Sequence, residues 1–567
     1  MISLSFLRGR VEFRNQAVSL LALLVLSGTL FFFQLGTPGL FDADEPAYAQ
    51  AAREMLDSGD WITPHFNGRP RFDKPILFYW LTMLSYSFFG ISEFAVRFWS
   101  ALAAVVLVLV IARAARRWLE PPADLLAGLA FTLNVLTALL ARAAVTDMLL
   151  TLFVTLAVLS GVEALTGSSK QGSGPATFMW GAMALAVLVK GPIGIVVPVI
   201  ALGGMLVFFR EARSGVQRLV PWRGLVLFAL ITLPWYALVL AANGWAFIEG
   251  FVIKHHVSRY TGVVSSHAGP IWFYFPVVLI GFFPWSGFAV RALWRVGTVV
   301  RGRSPRSPAD RLLVACVCWV AGVFVFFSLA GTKLPSYLFP MFPGMAILAG
   351  ASAVSSARVP PWVDRLTLWV LGLTGLVLAI GFGAAPWIVE AARARAAGIL
   401  DDVAFPAGLA WWLCALLGLG TVAALAVRES RRVPVLAAMM VLMILTAEAK
   451  VAPQAYAILQ GPLREFTEDA RRTLGRQGTL IAYGLNAPTI VFYADHPVIP
   501  LGAGSPEGVR EIRRLVETGQ PVVVITRQAH IARLDGIPGF VRVKVRGGYA
   551  MYSSAPRAGT GSQEEKR

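Results

Sequence analysis

Long apolar runs separated by short polar connections dominate the chain. An apolar run of about 20 residues is long enough to cross a bilayer as a helix. We predict thirteen such spans, at 17–34, 94–115, 122–141, 146–166, 176–190, 192–209, 223–242, 271–291, 311–330, 336–354, 364–386, 405–427 and 433–450. The first polar connection predicts two more helices at the membrane interface. One is amphipathic and is capped by Asp44, and the other, over 76–90, is too short to span.

The pattern changes near residue 452, where charged residues return. Short strand-like runs at 479–484, 521–526, 540–545 and 548–552 alternate with helical stretches near 461–474 and 505–517. We therefore predict a mainly α polytopic membrane protein. Its transmembrane domain covers 1–451, a small α/β domain covers 452–555, and a disordered tail covers 556–567.

The composition excludes a soluble multidomain protein. Hydrophobic residues make up 56% and charged residues 14%, against about 45–50% and about 25% in soluble domains. The net charge of +18 could suit nucleic acid, but the basic residues form short clusters between apolar runs. Such clusters mark cytoplasmic connections. With a cytoplasmic N-terminus, the acidic connection 35–93 and everything after Lys450 fall on the outer side.

Many charged residues collect at the predicted outer ends of the spans, where ionisable groups are functional candidates. They come from five separate connections and are Asp44, Asp73, Lys74, Arg142, Asp147, Lys190, His256, Arg259 and Lys333. Ordinary explanations exist, because Asp44 can cap a helix and Arg142 can pair with Asp147. Lysines such as Lys190 and Lys333 can also extend to the interface.

The outer stretch 245–260 carries a further pattern. Ile248, Val252, His256 and Arg259 are spaced as one face of an α-helix. Collected on one membrane face, these cations and carboxylates predict a pocket for an anionic lipid headgroup. The cations would neutralise a phosphate, and a carboxylate would act as a base or hold a divalent metal ion. The sequence has no Walker loop, no GxGxxG opening a helix after a strand, and no HExxH.

Several stretches in the first 340 residues resemble a known family. They are FDADEPAYAQAAREMLDSGDWITPHFNGRPRFDKPILFYW (41–80), GISEFAVRFWSAL (90–102), ARAAVTDMLL (141–150), VLVKGPIG (187–194), HHVSRY (255–260) and FSLAGTKLPSYLFP (327–340). The chain resembles membrane glycosyltransferases of the GT-C class related to protein O-mannosyltransferases. It is most similar to the bacterial lipid A aminoarabinose transferases. The resemblance implies an inverting enzyme of the bacterial inner membrane that takes its sugar from a polyprenyl phosphate on the periplasmic face.

The resemblance also implies roles for individual residues. The family's catalytic acids correspond to Asp44 and Asp147, and its acid–lysine pair corresponds to Asp73 and Lys74. The predicted substrate-binding residues are Glu45, Lys74, Arg142, Lys190, His256, Arg259, Lys333 and Tyr337. A divalent metal ion between Asp73 and His256 is left open.

Two residues of this chain depart from the family's pattern, and two alternative functions stay open. The aminoarabinose transferases have an arginine where this chain has Ala47, and a glutamate where it has Asp73. Lipid A, another envelope glycolipid or a protein Ser/Thr could therefore be the acceptor. A protein O-glycosyltransferase is one alternative. A non-catalytic flippase for a polyprenyl-linked sugar is the other, and it would place the charges near the middle of the membrane.

Overall fold

The fold was obtained as a computed structural model. It describes residues 2–166, 173–208, 213, 215–262, 268–301, 307–354, 359–395, 405–475, 478–504 and 506–554. The predicted disordered tail, 556–567, lies outside the described residues. The chain begins with α1 Ile2–Phe32, α2 Asp44–Ser58, β1 His65–Phe66, β2 Arg69–Pro70, α3 Leu77–Phe89, α4 Glu93–Trp118, α5 Ala123–Thr132, α6 Val135–Ala141, α7 Asp147–Thr166, α8 Gly174–Lys190 and α9 Ile193–Phe208.

The middle of the chain continues as helices, several of which are interrupted. After a 3₁₀ turn at Val216–Leu219, its α-helices are α10 Trp222–Asn243, α11 Tyr274–Gly281, α12 Phe288–Arg301, α13 Pro308–Leu329, α14 Phe342–Val354, α15 Pro361–Arg395, α16 Ala407–Ala426, α17 Glu429–Thr446 and α18 Ala452–Leu459. Between α10 and α11 lie single α-helical turns at Trp245–Phe247 and Ser258–Thr261, which flank a π-helix at Ile248–Val257, and a 3₁₀ turn at Ile271–Phe273. Further 3₁₀ segments are Trp285–Gly287 and Pro335–Met341, and a second π-helix is Ala447–Val451.

The predicted spans agree in part with these helices. Among the described residues, seven helical segments are long and apolar enough to cross a membrane, and two bent helix pairs bring the number to nine. Three shorter apolar helices, at 17–32, 174–190 and 193–208, coincide with predicted spans. Large apolar side chains such as Trp369 and Leu419 are exposed, as contact with lipid requires. The structure is thus mainly α with several apolar helices, and the number thirteen stays a prediction.

The connection over residues 35–93, which we call the first outer connection after its predicted side of the membrane, contains both helices predicted there. The amphipathic helix is α2, and the segment 76–90 forms α3. One detail of the prediction is wrong, because the residue that caps α2 is Ala43 and Asp44 is the first helical residue. Asp44 therefore contributes its charge to the first turn, where a carboxylate is favoured by the helix dipole.

The C-terminal part forms a small five-stranded sheet flanked by helices. Its elements are α19 Gly461–Leu474, β3 Thr479–Tyr483, α20 Pro488–Ala494, β4 Val498–Leu501, α21 Pro506–Glu517, β5 Val522–Arg527, a 3₁₀ turn Gln528–His530, α22 Ile531–Leu534, β6 Val541–Arg546 and β7 Tyr549–Ser553. The strand order is β4-β3-β5-β7-β6, with β4, β3 and β5 parallel. Leu480 on β3 belongs to one apolar cluster and Ile481 to another. The sheet is therefore covered on both faces.

The four predicted strands and both predicted helices of this part are found within a few residues of their expected positions. The helix α20 and the strand β4 were not predicted. Pro500 lies inside β4, and proline is tolerated there because β4 is an edge strand.

A buried ion pair joins the first outer connection to the span behind it. Arg97 on α4 donates from Nε to Glu45 Oε1 at 2.9 Å and from NH2 to Glu45 Oε2 at 2.7 Å. The carboxylate also accepts from the backbone N–H of Phe41 at 2.9 Å and of Ala144 at 2.7 Å. Although burial opposes ionisation, Arg97 lowers the pKa of Glu45. Each oxygen of this carboxylate thus accepts two hydrogen bonds from donors within the protein.

Arg97→Leu is expected to destabilise the protein strongly. It leaves the Glu45 carboxylate buried without its cation, and such a loss costs about 3–5 kcal/mol. The midpoint of thermal unfolding of the purified protein in detergent, followed by size-exclusion chromatography, measures the effect. The double variant Glu45→Gln/Arg97→Leu removes the isolated charge and keeps an acceptor for a backbone N–H, so its midpoint should lie above that of Arg97→Leu. A midpoint of Arg97→Leu equal to wild type would contradict this account.

Candidate functional site

A cavity of about 240 Å³ lies at the ends of the spans that the sequence predicts to face the outer side, and we call it the cationic cavity. Its polar lining comes from five separate connections between helices and consists of Lys74, Asp147, Lys190, His255, His256, Arg259, Tyr260, Ser336 and Tyr337. The rest of its wall is apolar and includes Ile193, Val196 and Phe327. The predicted convergence of separate connections is therefore found for Lys74, Asp147, Lys190, His256, Arg259 and Tyr337.

The electrostatics of this cavity favour an anion. Burial and the nearby charges of Lys190 and Arg259 lower the pKa of Lys74 to about 8. The ammonium of Lys190 is paired with Asp147, at 2.8 Å between Nζ and Oδ1. Asp147 is the one carboxylate among the cavity's lining residues. A bound phosphate would supply the negative charge that Lys74 and Arg259 lack.

Arg259 and Tyr337 form a hydrogen-bonded pair on the cavity wall. Arg259 NH1 donates to the Tyr337 hydroxyl at 3.2 Å, while Lys190 Nζ lies 5.5 Å from the centre of the Tyr337 ring. The Nε of Arg259 is buried and has no hydrogen-bond partner among the described residues. A guanidinium with an unused donor beside a phenol is suited to binding phosphate oxygens.

His256 lies in the cavity in a fixed orientation. Its Nδ1 lies 2.6 Å from the carbonyl oxygen of Phe251, which can only accept, so Nδ1 carries a proton. Burial lowers the pKa of His256, and the charge of Lys74 adds to that effect. The backbone comes close at Gly191, where φ is +73° and an added Cβ would lie 2.7 Å from His256 Nε2. Only glycine suits both conditions.

The prediction that residues 245–260 present one face of an α-helix is wrong. The segment Ile248–Val257 winds as a π-helix, whose wider turns shift side chains away from the spacing of an α-helix. Val252 is exposed, whereas Phe251 is buried and its ring contacts that of His256 at 4.5 Å between centres. The α-helical pattern therefore does not describe the face that this segment buries.

The same winding changes which histidine faces Asp73. His255 Nε2 lies 3.1 Å from Asp73 Oδ1, and Arg71 NH2 lies 2.7 Å from Asp73 Oδ2. The metal ion left open between Asp73 and His256 would therefore meet a different histidine, because His255 is the one that contacts Asp73. These partners lower the pKa of Asp73, in spite of its burial.

The residues around Asp73 do not by themselves complete a metal site. Zinc sites in proteins usually supply three or four side-chain ligands. Among the described residues, no group of three or more His, Cys, Asp or Glu side chains could hold a metal ion. Asp73 and His255 offer two ligands, and Arg71 competes for the carboxylate, so no chemical step is assigned to a metal here.

A second cavity, of about 340 Å³, lies beside the first outer connection, and we call it the acidic cavity. Its charged lining consists of Asp42, Asp44, Glu45, Arg97, Arg142 and Glu448. Within the part of the chain that the structure describes, the Asp44 carboxylate has no hydrogen bond or ion pair and is exposed. Its charge also acts on Lys74. Asp44 therefore lines the acidic cavity, and its charge also reaches Lys74 in the cationic cavity.

Arg142 has partners other than the one expected. Its Nε lies 2.6 Å from Glu448 Oε2, and its other nitrogens donate to carbonyls at the end of α1, including that of Gln34 at 3.1 Å. The suggested Arg142–Asp147 pair is not found, since Asp147 binds Lys190. No local pattern in the sequence points to Glu448, which lies 306 residues away.

Lys333 is not brought to the cationic cavity. Its Nζ donates to the backbone carbonyls of Ser328 at 2.8 Å and Ala330 at 2.9 Å, at the C-terminal end of α13. Burial lowers the pKa of Lys333. Its ammonium therefore satisfies free carbonyl groups of the span, as lysines at helix ends commonly do. Ser336, which was not predicted, lines the cavity three residues further on.

Comparison with known proteins places this geometry in a class. Residues 73–237 match the family model described as dolichyl-phosphate-mannose-protein mannosyltransferase. The resemblance predicted from the motifs is thereby confirmed, and this part of the chain is a domain of that GT-C family.

Particular relatives share more of the chain. It is 33% identical over 383 residues to the undecaprenyl phosphate-alpha-4-amino-4-deoxy-L-arabinose arabinosyl transferase of Edwardsiella ictaluri, and the match covers 64% of each protein. A protein of the same name from Erwinia tasmaniensis is 31% identical over 361 residues, which is 63% of this chain and 64% of that one. The chain thus spans just under two thirds of the length of these relatives.

A solved structure covers nearly the whole fold. ArnT from Cupriavidus metallidurans, bound to undecaprenyl phosphate, superposes with a TM-score of 0.77 at 25% identity, over 95% of this chain and 98% of that one. The archaeal oligosaccharyltransferase AglB from Archaeoglobus fulgidus gives a TM-score of 0.50 at 13% identity, over 91% of this chain and 69% of that one, which is a likeness of fold alone.

The affinity for a lipid phosphate is expected to fall as the pH rises through about 8. Lys74 is charged below its pKa and neutral above it, so the loss begins there and approaches about tenfold per pH unit. Titration of the purified protein with undecaprenyl phosphate between about pH 7 and about pH 9.5 measures it. Lys74→Arg keeps its charge throughout this range, so its affinity should stay flat. A wild-type affinity independent of pH would contradict the assignment of Lys74.

Proposed function

We propose that this protein is an inverting glycosyltransferase of the bacterial inner membrane. It moves a sugar from an undecaprenyl-phosphate-type donor to lipid A or another envelope acceptor on the periplasmic face. The observation that carries the proposal is the convergence of Lys74, Arg259 and Tyr337 on one cavity with a largely apolar wall. The bound undecaprenyl phosphate in the similar ArnT structure supports the same class of ligand.

The cationic cavity is proposed to hold the donor phosphate. Transfer breaks the bond between the anomeric carbon and a phosphate oxygen, and the polyprenyl phosphate leaves with an additional negative charge. Lys74 and Arg259 would stabilise this charge, and the Tyr337 hydroxyl would orient a phosphate oxygen. Lys190, held by Asp147, would contribute its charge from a fixed position. His256 would line the side of the pocket.

Asp44 is proposed to act on the opposite side of the sugar. Its unpaired carboxylate lies in the acidic cavity near the cationic one, so an acceptor could approach the anomeric carbon from there. If the acceptor is a hydroxyl, Asp44 takes its proton as the new carbon–oxygen bond forms. If the acceptor is a phosphate of lipid A, the nucleophile is already an anion and Asp44 orients the sugar.

Glu45 and Arg142, predicted as substrate-binding residues, receive supporting roles. The Glu45 carboxylate is saturated by Arg97 and two backbone donors. Arg142 is bound by Glu448 and by carbonyls of the α1 end. Both line the acidic cavity and would shape it without giving up these partners. Lys333 would likewise stabilise the end of α13.

The membrane arrangement is proposed from the sequence pattern. About thirteen helices would cross the membrane, with α2 and α3 at the outer interface. The transmembrane catalytic domain would occupy 1–451, and the α/β domain 452–555 would lie in the periplasm. The N-terminus would then be cytoplasmic.

Mass spectrometry of envelope glycolipids from a deletion strain and its parent tests the function. Loss of a pentosamine-sized or hexose-sized increment from lipid A would identify both the sugar and the acceptor. Unchanged lipid A with a sugar missing from proteins would favour the protein O-glycosyltransferase alternative suggested by the matched family model. Unchanged products in every fraction would overturn the transferase.

Asp44→Asn is expected to lower transfer by about 10²–10⁴-fold if Asp44 is the general base. Undecaprenyl phosphate should still bind, because the cationic cavity keeps its charges. Asp57→Asn is the matched control, since Asp57 lies on the same helix with its side chain 63% exposed. Turnover is measured with purified protein and donor at saturation. Wild-type turnover of Asp44→Asn would exclude Asp44 from the reaction.

A further inference from the structure

The C-terminal sheet presents one edge to the first outer connection. From β3 the chain passes through α20 to β4 on one side, and then through α21 to β5 on the other side. The strand order therefore reverses at β3. In open α/β sheets, ligands bind beside the carboxyl ends of the strands at such a reversal. Here α20 begins at that edge, directly after β3.

A carboxylate of the first outer connection occupies this position. Asp42 Oδ1 accepts a hydrogen bond from the backbone N–H of Thr489 at 2.8 Å, and Thr489 is the second residue of α20. The free N–H groups of a first helical turn favour a negative charge. This hydrogen bond therefore fixes the residues that lead into α2 to the first turn of α20.

The same connection is held at other points by the C-terminal sheet and its helices. The hydroxyl of Tyr493 on α20 accepts from the Leu40 N–H at 3.1 Å and donates to Glu93 Oε1 at 2.9 Å. In the middle of α2, Arg53 forms an ion pair with Asp495. The contacts thus begin before α2 and continue along it.

A further contact follows α2, at the tip of the β1–β2 hairpin. Asn67 Nδ2 donates to the Val498 carbonyl at 2.6 Å, and Asn67 Oδ1 accepts from the Val498 N–H at 3.2 Å. Val498 is the first residue of the edge strand β4. Asn67 pairs with this strand as the backbone of another strand would.

We propose that the C-terminal α/β unit positions the carboxylate of Asp44, with Asp42 as the positioning residue. This inference rests on the function proposed above. Asp44 follows Asp42 by two residues and is the first residue of α2. The C-terminal unit contacts the residues before α2, the middle of α2 and the hairpin after it. A displacement of about 1 Å at a reacting group can cost about 100-fold in rate. The sheet would thus serve as a support for the reaction centre.

The test compares variants of the full-length protein that differ in one acceptor oxygen. Asp42→Leu removes the acceptor for Thr489, whereas Asp42→Asn keeps an oxygen in the same place. We expect Asp42→Leu to lower kcat by about 10–100-fold with an unchanged KM for the donor. Asp42→Asn should keep at least half of the wild-type kcat. Equal losses in both variants, or a wild-type kcat in Asp42→Leu, would overturn the proposal.

A second variant tests another contact of the same interface, on the side of the C-terminal unit. Tyr493→Phe removes the hydroxyl that binds Leu40 and Glu93, and it should also lower kcat without changing the KM for the donor. Tyr552→Phe is the control, since its hydroxyl binds Asp535 within the C-terminal unit at 2.6 Å. Loss of activity in Tyr552→Phe equal to that in Tyr493→Phe would show a general effect on folding and would contradict a specific positioning role.

Hydrogen exchange separates this inference from the proposed function. In Asp42→Leu and Tyr493→Phe, amide protection over 40–58 should fall, while in Asp42→Asn and Tyr552→Phe it should stay at the wild-type level. This readout does not need the substrate. If protection falls in these two variants but the wild-type protein has no transferase activity, the proposed function is overturned and the support by the sheet stands. Wild-type protection in both Asp42→Leu and Tyr493→Phe would overturn the proposal that the C-terminal unit positions this segment.

Discussion

The buried pair of Glu45 and Arg97 is the interaction on which the site depends. The Glu45 carboxylate binds α4 through Arg97, the approach to α2 through the Phe41 N–H, and the connection before α7 through the Ala144 N–H. Arg97 in turn binds the carbonyls of Leu35, Pro38 and Gly39. The two candidate catalytic acids lie next to these anchors, Asp44 directly before Glu45 and Asp147 three residues after Ala144. Their relative positions therefore depend on one ion pair that has no contact with the cationic cavity.

The two cavities differ in how their charges are compensated. In the acidic cavity, Glu45 and Glu448 each have an arginine partner, and Asp44 remains unpaired among the described residues. In the cationic cavity, Lys190 is paired, while Lys74 lies close to two other cations. Keeping like charges close together lowers stability unless an anion binds between them. The arrangement thus favours a ligand that carries its own negative charge, and it places an unpaired base nearby.

Much of the architecture could be predicted from local pattern, and most failures concern contacts between distant parts of the chain. The length of the apolar runs predicted the helices. The predicted side of the membrane for each polar connection predicted the convergence of Lys74, Lys190 and Arg259. No local signal could show that Glu448 would bind Arg142, or that Lys333 would turn to the carbonyls of its own span. The strand β4 was missed because it is short and contains Pro500. His255 and His256 are adjacent, so only the backbone geometry could decide which one faces Asp73.

The π-helix at Ile248–Val257 has a consequence for how this segment responds to changes in length. A π-helical turn holds about one residue more than an α-helical turn, so it accommodates one more residue in the same rise. Every side chain beyond the insertion then rotates about the helix axis relative to those before it. Insertion or deletion of a single residue here would exchange the neighbours of His255, His256 and Arg259 without altering the surrounding helices. A change of one residue in the length of this segment would therefore alter several side chains that face the cationic cavity in one step, whereas point substitutions elsewhere on the cavity wall would change one contact at a time.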